Sequence, residues 1–119
     1  MAFQALACGC QGLGWWCFMT MKDDKECWDN HARLIALVRQ MEPCLTGVRP
    51  EQTVSRDGPR IVRYKSSAGT LVIAVNPTAK AGDMAWQGKL PARELVRKGV
   101  TVDKSKFSFE PYGYAAWME

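Results

Sequence analysis

The sequence has no apolar run near the roughly 18 residues that a membrane span needs, which argues against a transmembrane protein. No basic residue precedes the apolar part of residues 1–10, so this segment makes a poor signal peptide. No block of like charge occurs either: 16 Lys and Arg against 12 Asp and Glu give a mild formal charge of +4. These absences predict no membrane partner and no nucleic-acid partner.

Cysteine is absent from the second half of the chain, where a disulfide-stapled β module would need it. The five cysteines are Cys8, Cys10, Cys17, Cys27 and Cys44. We interpret them as reduced thiols, which predicts a reducing, cytoplasmic location. Zinc sites usually show two closely spaced ligand pairs, and this chain has one Cys-x-Cys. We therefore predict no metal and no cofactor. Cys27 falls before the predicted start of the next helix, so it is not expected to pair with His31 at helical spacing.

The first 30 residues predict a helix followed by a buried strand. Residues 1–10 carry apolar side chains at helical spacing. The strand begins at Leu13 and ends at Phe18, and its almost wholly apolar run is typical of a strand buried on both faces. Because neighbouring strand residues point to opposite faces, Trp15 and Trp16 cannot both face the same packing partner. This pair is the sequence's main hint of a ligand.

A second, amphipathic helix is predicted over residues 31–42. Either Asp29 or Asn30 is a good N-cap for it, and Pro43 is expected to end it. The helix–strand–helix order has the rhythm of an α/β unit.

Residues 46–57 form a polar connector, and only β signals appear beyond it. Strands are predicted over residues 61–65 and 70–75, joined by a hairpin turn at residues 66–69. Short strands at this spacing favour an antiparallel sandwich or a small barrel, and we predict a sandwich of roughly six to eight strands.

Two further boundaries are predicted in this β region. Lys98 and Gly99 predict a turn between two short strands. Pro111 predicts a boundary between a strand over residues 107–109 and a strand over residues 112–117. The sequence therefore predicts an α+β chain. Residues 1–46 form an N-terminal helix–strand–helix segment, and residues 47–119 form a C-terminal antiparallel β-sandwich domain.

The order of these segments resembles the C-terminal end of a retaining-type glycoside hydrolase. The resemblance covers almost the whole chain and is carried by residues 12–18 (Gly-Leu-Gly-Trp-Trp-Cys-Phe), residues 41–43 (Met-Glu-Pro), the Val-Asn-Pro strand end at residues 75–77, and residues 109–113 (Phe-Glu-Pro-Tyr-Gly). In that family the last strand and helix of a (β/α)₈ barrel run into a small all-β domain. The resemblance implies that residues 1–46 are the end of such a barrel.

Implied site residues follow from this correspondence. The strand exit would lie at the active-site face of the barrel, where an aromatic side chain stacks on a sugar ring. The resemblance thus assigns substrate contacts to Trp15 and Trp16, with Trp28 at the rim. Packing of both tryptophans in a core is the alternative.

Glycoside hydrolysis needs two carboxylates that face each other across the scissile bond. The acids nearest the strand are Asp23, Asp24 and Glu26, in a Lys-containing loop without a separately placed partner. We therefore predict no catalytic residue in this chain. A solvated loop that favours the N-terminus of the following helix is the expected role of these acids.

The resulting prediction is a C-terminal accessory or structural region of a glycoside hydrolase, not catalytic alone. Alternatives are a carbohydrate-binding module that uses Trp15 and Trp16, a small structural or interaction protein, and an enzyme whose site forms across an oligomer. The expected partners are a carbohydrate, and either a second copy of the chain or the remainder of a barrel that covers the strand over residues 13–18.

Overall fold

The structure is a computed structural model that describes residues 1–10, 23–56 and 58–119. Within these residues two helices precede six strands, and the prediction of an α+β chain with a β-rich region is confirmed. The helices are α1 (Ala2–Ala7) and α2 (Lys25–Leu45). The strands are β1 (Glu51–Val54), β2 (Arg60–Ser66), β3 (Gly69–Val75), β4 (Gly82–Ala85), β5 (Arg93–Asp103) and β6 (Lys106–Met118). The predicted strand over residues 13–18 lies outside the described residues, and the domain division at residue 46 stays a prediction.

Helix α2 begins six residues earlier than predicted. Its N-cap is Asp24, whose Oδ1 accepts a hydrogen bond from the backbone N–H of Cys27 at 2.9 Å. The prediction of Asp29 or Asn30 as the cap is therefore wrong, since both lie inside the helix. The expectation that Cys27 precedes the helix is wrong for the same reason.

Pro43 does not end α2, contrary to prediction. It lies inside the helix, which continues to Leu45 and ends at Thr46, whose N–H donates to the carbonyl of Glu42. Proline removes one helical hydrogen bond, but Cys44 and Leu45 are buried against the sheet, and that burial offsets the loss. None of the described helices is long and apolar enough to cross a membrane.

The strands in the described part of the chain form one curled antiparallel sheet. Its order is β1-β2-β3-β6-β4, and β5 also pairs with β6. Strand β6 changes partner along its length, because residues 106–109 pair with β4 whereas residues 114–118 pair with β3. Strand β5 pairs with both parts of β6, so the sheet remains continuous where it curls.

The β2–β3 hairpin matches its prediction, with Ser67 and Ala68 in the turn. Strand β1 lies within the predicted polar connector over residues 46–57, where no strand was expected. All four of its residues are exposed, so no apolar alternation marks it. Glu51 ties this edge strand to β2 through ion pairs with Arg63 and with Lys65.

Two predicted boundaries are bulges within long strands. Val100 pairs with Phe109 and Lys98 with Tyr114, so Gly99 of β5 faces residues 110–113 of β6. Gly99 adopts a φ of 64°, which glycine reaches without strain. The prediction of a turn at Lys98 and Gly99 is therefore wrong; the β5–β6 turn lies at residues 104–105.

Pro111 does not break β6 either. It lies between the residues that pair with β4 and those that pair with β3, at a point where β6 has no described ladder partner. A missing N–H costs little there, which is why a bulge accommodates proline inside a strand.

The sheet separates two buried clusters. On one face, α1 and α2 cover β2, β3 and β6. On the other face, the curl of the sheet closes a second cluster. Along β3, Ile73 and Val75 belong to the helix-side cluster, while Val72 and Ala74 belong to the curl-side cluster. This alternation explains why the sequence of β3 is continuously apolar.

The Tyr64 hydroxyl links the sheet to α1, and its removal is expected to destabilise the protein. It donates a hydrogen bond of 2.5 Å to the carbonyl oxygen of Leu6, and the ring is buried. Tyr64→Phe should lower the free energy of unfolding by about 1 kcal/mol at pH 7. Urea denaturation checks this, with Tyr112→Phe as the control at an exposed phenol.

The same hydroxyl gives a pH dependence. Burial raises the pKa of Tyr64 above its usual value, and the sulfurs of Cys8 and Cys10 add to that rise. Because the pKa is higher in the folded than in the unfolded state, this contribution is complete below about pH 10 and is lost as the pH rises through the folded-state pKa. Tyr64→Phe should remove that loss. An identical pH dependence in Tyr64→Phe and Tyr112→Phe would contradict it.

Candidate binding site

One of the three predicted substrate contacts lies in the described structure. Trp28 is half-buried on α2, and its ring meets that of His31 edge-on at 6.2 Å between centroids. Trp15 and Trp16 lie outside the described residues.

The acids before and within the start of α2 serve the helix. Asp24 is its N-cap and Glu26 lies in its first turn, where a negative charge favours the helix dipole. Lys25 and Asp29 form an exposed ion pair of 2.7 Å one turn apart. In the described chain, no group of His, Cys, Asp and Glu could hold a metal ion.

The four described thiols lie near the ends of the two helices. Cys44 is buried against the sheet, Cys27 is half-buried in the first turn of α2, and Cys8 and Cys10 are exposed after α1. The sulfur of Cys8 accepts a hydrogen bond of 2.8 Å from Nη1 of Arg60.

A cavity of about 510 Å³ opens where both helices meet the end of β3 and the middle of β5 and β6. Helix α1 contributes Phe3, whose ring stacks on that of Tyr114 in β6 at 4.8 Å and an interplanar angle of 12°. Leu34 and Leu37 of α2 and Val96 of β5 extend this apolar lining. The volume falls in the range of small-molecule sites, roughly 300–1,000 Å³.

Two of the four motifs that carried the resemblance, at residues 75–77 and 109–113, meet at the rim of this cavity. Asn76 is buried, and its Nδ2 donates to the carbonyl oxygens of Lys80 at 2.7 Å and of Glu110 at 3.0 Å. Its Oδ1 accepts from the N–H and the hydroxyl of Thr78. One amide thereby joins the loop after β3 to the bulge of β6. We call this hydrogen-bonded unit the Asn76 bracket.

The Asn76 bracket places Tyr112 at the rim. Two backbone bonds reinforce it: Tyr112 N–H donates to Thr78 at 3.0 Å, and Asn76 N–H donates to Gly113 at 2.8 Å. Tyr112 has a φ of 56°, and such a conformation in a bulky residue is an outlier that its surroundings must enforce. Its ring is 65% exposed.

The charged side chains that line the cavity are all positive. Arg33 of α2 and Lys98 of β5 both line it, and the lining residues, all from the described part of the chain, include no Asp or Glu. Neither cation forms an ion pair with another described residue.

Sequence reasoning missed this cavity. Its residues come from positions as distant as Phe3, Arg33, Lys98 and Tyr112, and no local motif joins them. The Phe-Glu-Pro-Tyr-Gly run was the one available signal, because it marked the place where β6 bulges.

No protein-family model matches the sequence, and no curated protein matches it. Solved structures do match the fold. Trehalulose synthase MutB from Pseudomonas mesoacidophila MX-45 superposes with a TM-score of 0.61 and 15% identity over 82% of this chain and 18% of its own. A mutant isomaltulose synthase from Erwinia rhapontici NX5, in complex with its natural substrate sucrose, gives a TM-score of 0.59 and 13% identity over 77% and 17%. The chain thus spans less than a fifth of these structures, and at such identity the comparison establishes a shared fold: two helices with a curled antiparallel sheet, as in part of each sugar-converting enzyme.

Proposed function

We propose that this chain is the C-terminal accessory region of a glycoside hydrolase-type enzyme, with no catalytic carboxylate pair of its own. In this proposal α1 and α2 are the end of a (β/α)₈ barrel, and the sheet is the β domain that follows it. The role of the region is structural: it covers and supports the last part of the barrel.

The packing of both helices on one sheet face is the observation that carries the proposal. Phe3 and Leu6 of α1 and Met41 of α2 are buried in one cluster with Leu71 and Ile73 of β3. A helix pair fixed to a sheet in this way is suited to attaching a β domain rigidly to the body from which the helices come. The structural neighbours, among them a glycoside hydrolase-like synthase with sucrose bound, support the same assignment.

Two carboxyl groups of the β region, those of Glu51 and Asp83, are in accord with the non-catalytic part of the proposal. A general acid in glycoside hydrolysis needs a raised pKa. A hydrogen bond from Arg63 lowers the pKa of Glu51, and hydrogen bonds with Lys106 and Ser108 lower the pKa of Asp83. Both groups are therefore biased towards the ionised form, which cannot protonate a leaving group.

An activity assay tests the proposal. The purified chain, incubated with sucrose and with 4-nitrophenyl α- and β-glycosides, should release no product above the buffer rate. Asp24→Asn and Glu26→Gln serve as controls, because asparagine preserves the N-cap of α2. Turnover in the wild type that either substitution abolishes would contradict the proposal.

Calorimetric titration with sucrose and glucose, and sedimentation velocity, separate the alternatives. As an accessory region, the chain should bind neither sugar measurably. Binding that Trp15→Ala or Trp16→Ala removes, but Trp28→Ala retains, would identify a carbohydrate-binding module instead. We also propose that a partner covers residues 13–18 and the part of α2 that faces away from the sheet, where Ile35 is exposed. If sedimentation velocity shows a dimer, the partner is a second copy of the chain. If it shows a monomer, the partner is the remainder of a barrel.

A further inference from the structure

We propose that the cavity between α1, α2, the end of β3 and the middle of β5 and β6 binds a small amphipathic anion, namely an aryl group that carries a phosphate or a carboxylate. This proposal does not depend on the accessory role. It would hold for the chain alone or as part of a larger enzyme, because every residue it uses belongs to the described chain.

The apolar wall selects a flat ring. Phe3 of α1 and Tyr114 of β6 stack face to face in the wall of the cavity. Because Phe3 is almost fully buried, the half-buried Tyr114 ring supplies most of the aromatic surface that a ligand can cover, and the half-buried Leu34, Leu37 and Val96 continue that surface. An aryl group placed there removes its own apolar area and that of the wall from water, which is the main source of affinity in such sites.

Arg33 and Lys98 favour a ligand with a negative charge. Arg33 and Lys98 belong to separate elements that both border the cavity, and no carboxylate in its lining neutralises them. A neutral ligand leaves this excess positive charge uncompensated. An anion gains attraction from both groups, and a guanidinium can donate two hydrogen bonds to one phosphate or carboxylate.

The rim is rigid before any ligand binds. The Asn76 bracket fixes the bulge of β6, and Tyr112 keeps a backbone conformation that an unconstrained tyrosine avoids. A preorganised rim lowers the entropy cost of binding. The exposed Tyr112 lines this rigid rim and is available for contact with a bound aryl group.

Isothermal titration of the full 119-residue chain tests the proposal. The probes are 2-naphthyl phosphate, 2-naphthoate and the neutral 2-naphthyl β-glucoside, which share one ring system. We expect saturable binding of at least one of the two anions, weakened by added salt, and at least tenfold weaker binding of the glucoside. The phosphate and carboxylate arms identify which anionic group the site prefers.

Substitutions locate the binding. Arg33→Gln and Lys98→Gln should each weaken the preferred anion about fivefold, and the double variant roughly twentyfold. Arg39→Gln, an exposed cation of the same helix outside the cavity, should leave the affinity unchanged. Leu34→Trp should abolish binding by filling the cavity without removing a charge, so the proposal stays testable if the double variant does not fold.

Three results would overturn the proposal. The first is absence of binding by both anions. The second is equal affinity for the glucoside and the preferred anion. The third is an affinity that survives both Leu34→Trp and the double substitution in folded protein, as judged by circular dichroism. None of these results bears on glycoside turnover, so this proposal and the accessory role fail separately.

Discussion

Replacing Phe107 by alanine is expected to lower the free energy of unfolding by about 4 kcal/mol, the largest loss we expect from a single substitution. Phe107 is 1% exposed and lies at the centre of the curl-side cluster. Its ring contacts those of Trp86, Phe109 and Trp117 at centroid distances of 5.9, 6.3 and 6.1 Å. Truncation removes three aromatic contacts and leaves a cavity that rigid neighbours cannot fill.

Urea denaturation followed by circular dichroism measures this loss. Tyr112→Ala is the matched control, because it also truncates an aromatic residue of β6 but at an exposed position, and it should cost less than about 1 kcal/mol. An unchanged slope against urea would show that both variants unfold from equally compact states. A cost below about 1.5 kcal/mol for Phe107→Ala would contradict a cluster closed by the curl of the sheet.

The elements that could be predicted from sequence are those whose signals are local. The β2–β3 hairpin has a continuous apolar strand and a turn at Ser67 and Ala68. The later part of α2 has an amphipathic stripe from Leu34 to Met41. In each case nearby residues alone decide the structure, so a single sequence suffices.

The wrong predictions concern positions where the same local sequence fits two different local structures equally well. Asp24, Asp29 and Asn30 are all good N-caps, and local propensity cannot choose among them. Gly99 with a positive φ suits a turn as well as a bulge. Long-range pairing of β5 with β6 decides for the bulge, and a single sequence does not contain that information in readable form.

The candidate site was unpredictable for the same reason. Its aromatic wall joins α1 to β6 and its cations come from α2 and β5, so only the folded chain brings them together. The resemblance did identify the Val-Asn-Pro and Phe-Glu-Pro-Tyr-Gly segments. Their connection through one buried amide emerged only from the structure.

Replacing Asn76 by alanine should therefore lower the free energy of unfolding by about 3 kcal/mol. Asn76 is 2% exposed and uses both donors and its acceptor within the bracket. Alanine removes both amide donors, so the carbonyl oxygen of Glu110 loses this hydrogen bond and that of Lys80 keeps only the Thr78 hydroxyl as a side-chain donor. It also leaves the N–H of Thr78 without its acceptor at a part-buried site, and lost hydrogen bonds of this kind are costly. Asn30→Ala, an exposed asparagine at the same cavity, should cost less than about 0.5 kcal/mol.

The variant Asn76→Asp distinguishes the contribution of the two amide N–H donors of Asn76 from that of its acceptor oxygen. Aspartate keeps the acceptor for Thr78 but loses both donors and introduces a buried charge, so at pH 7 it should destabilise at least as much as alanine. Burial would raise the folded-state pKa of the new carboxyl group. As the pH falls, this group takes up a proton and gains one O–H donor. The loss in free energy of unfolding caused by Asn76→Asp should therefore become smaller between about pH 7 and pH 4, whereas the loss caused by Asn76→Ala stays constant. Parallel pH profiles for the two variants would show that the amide donors do not hold the bulge of β6.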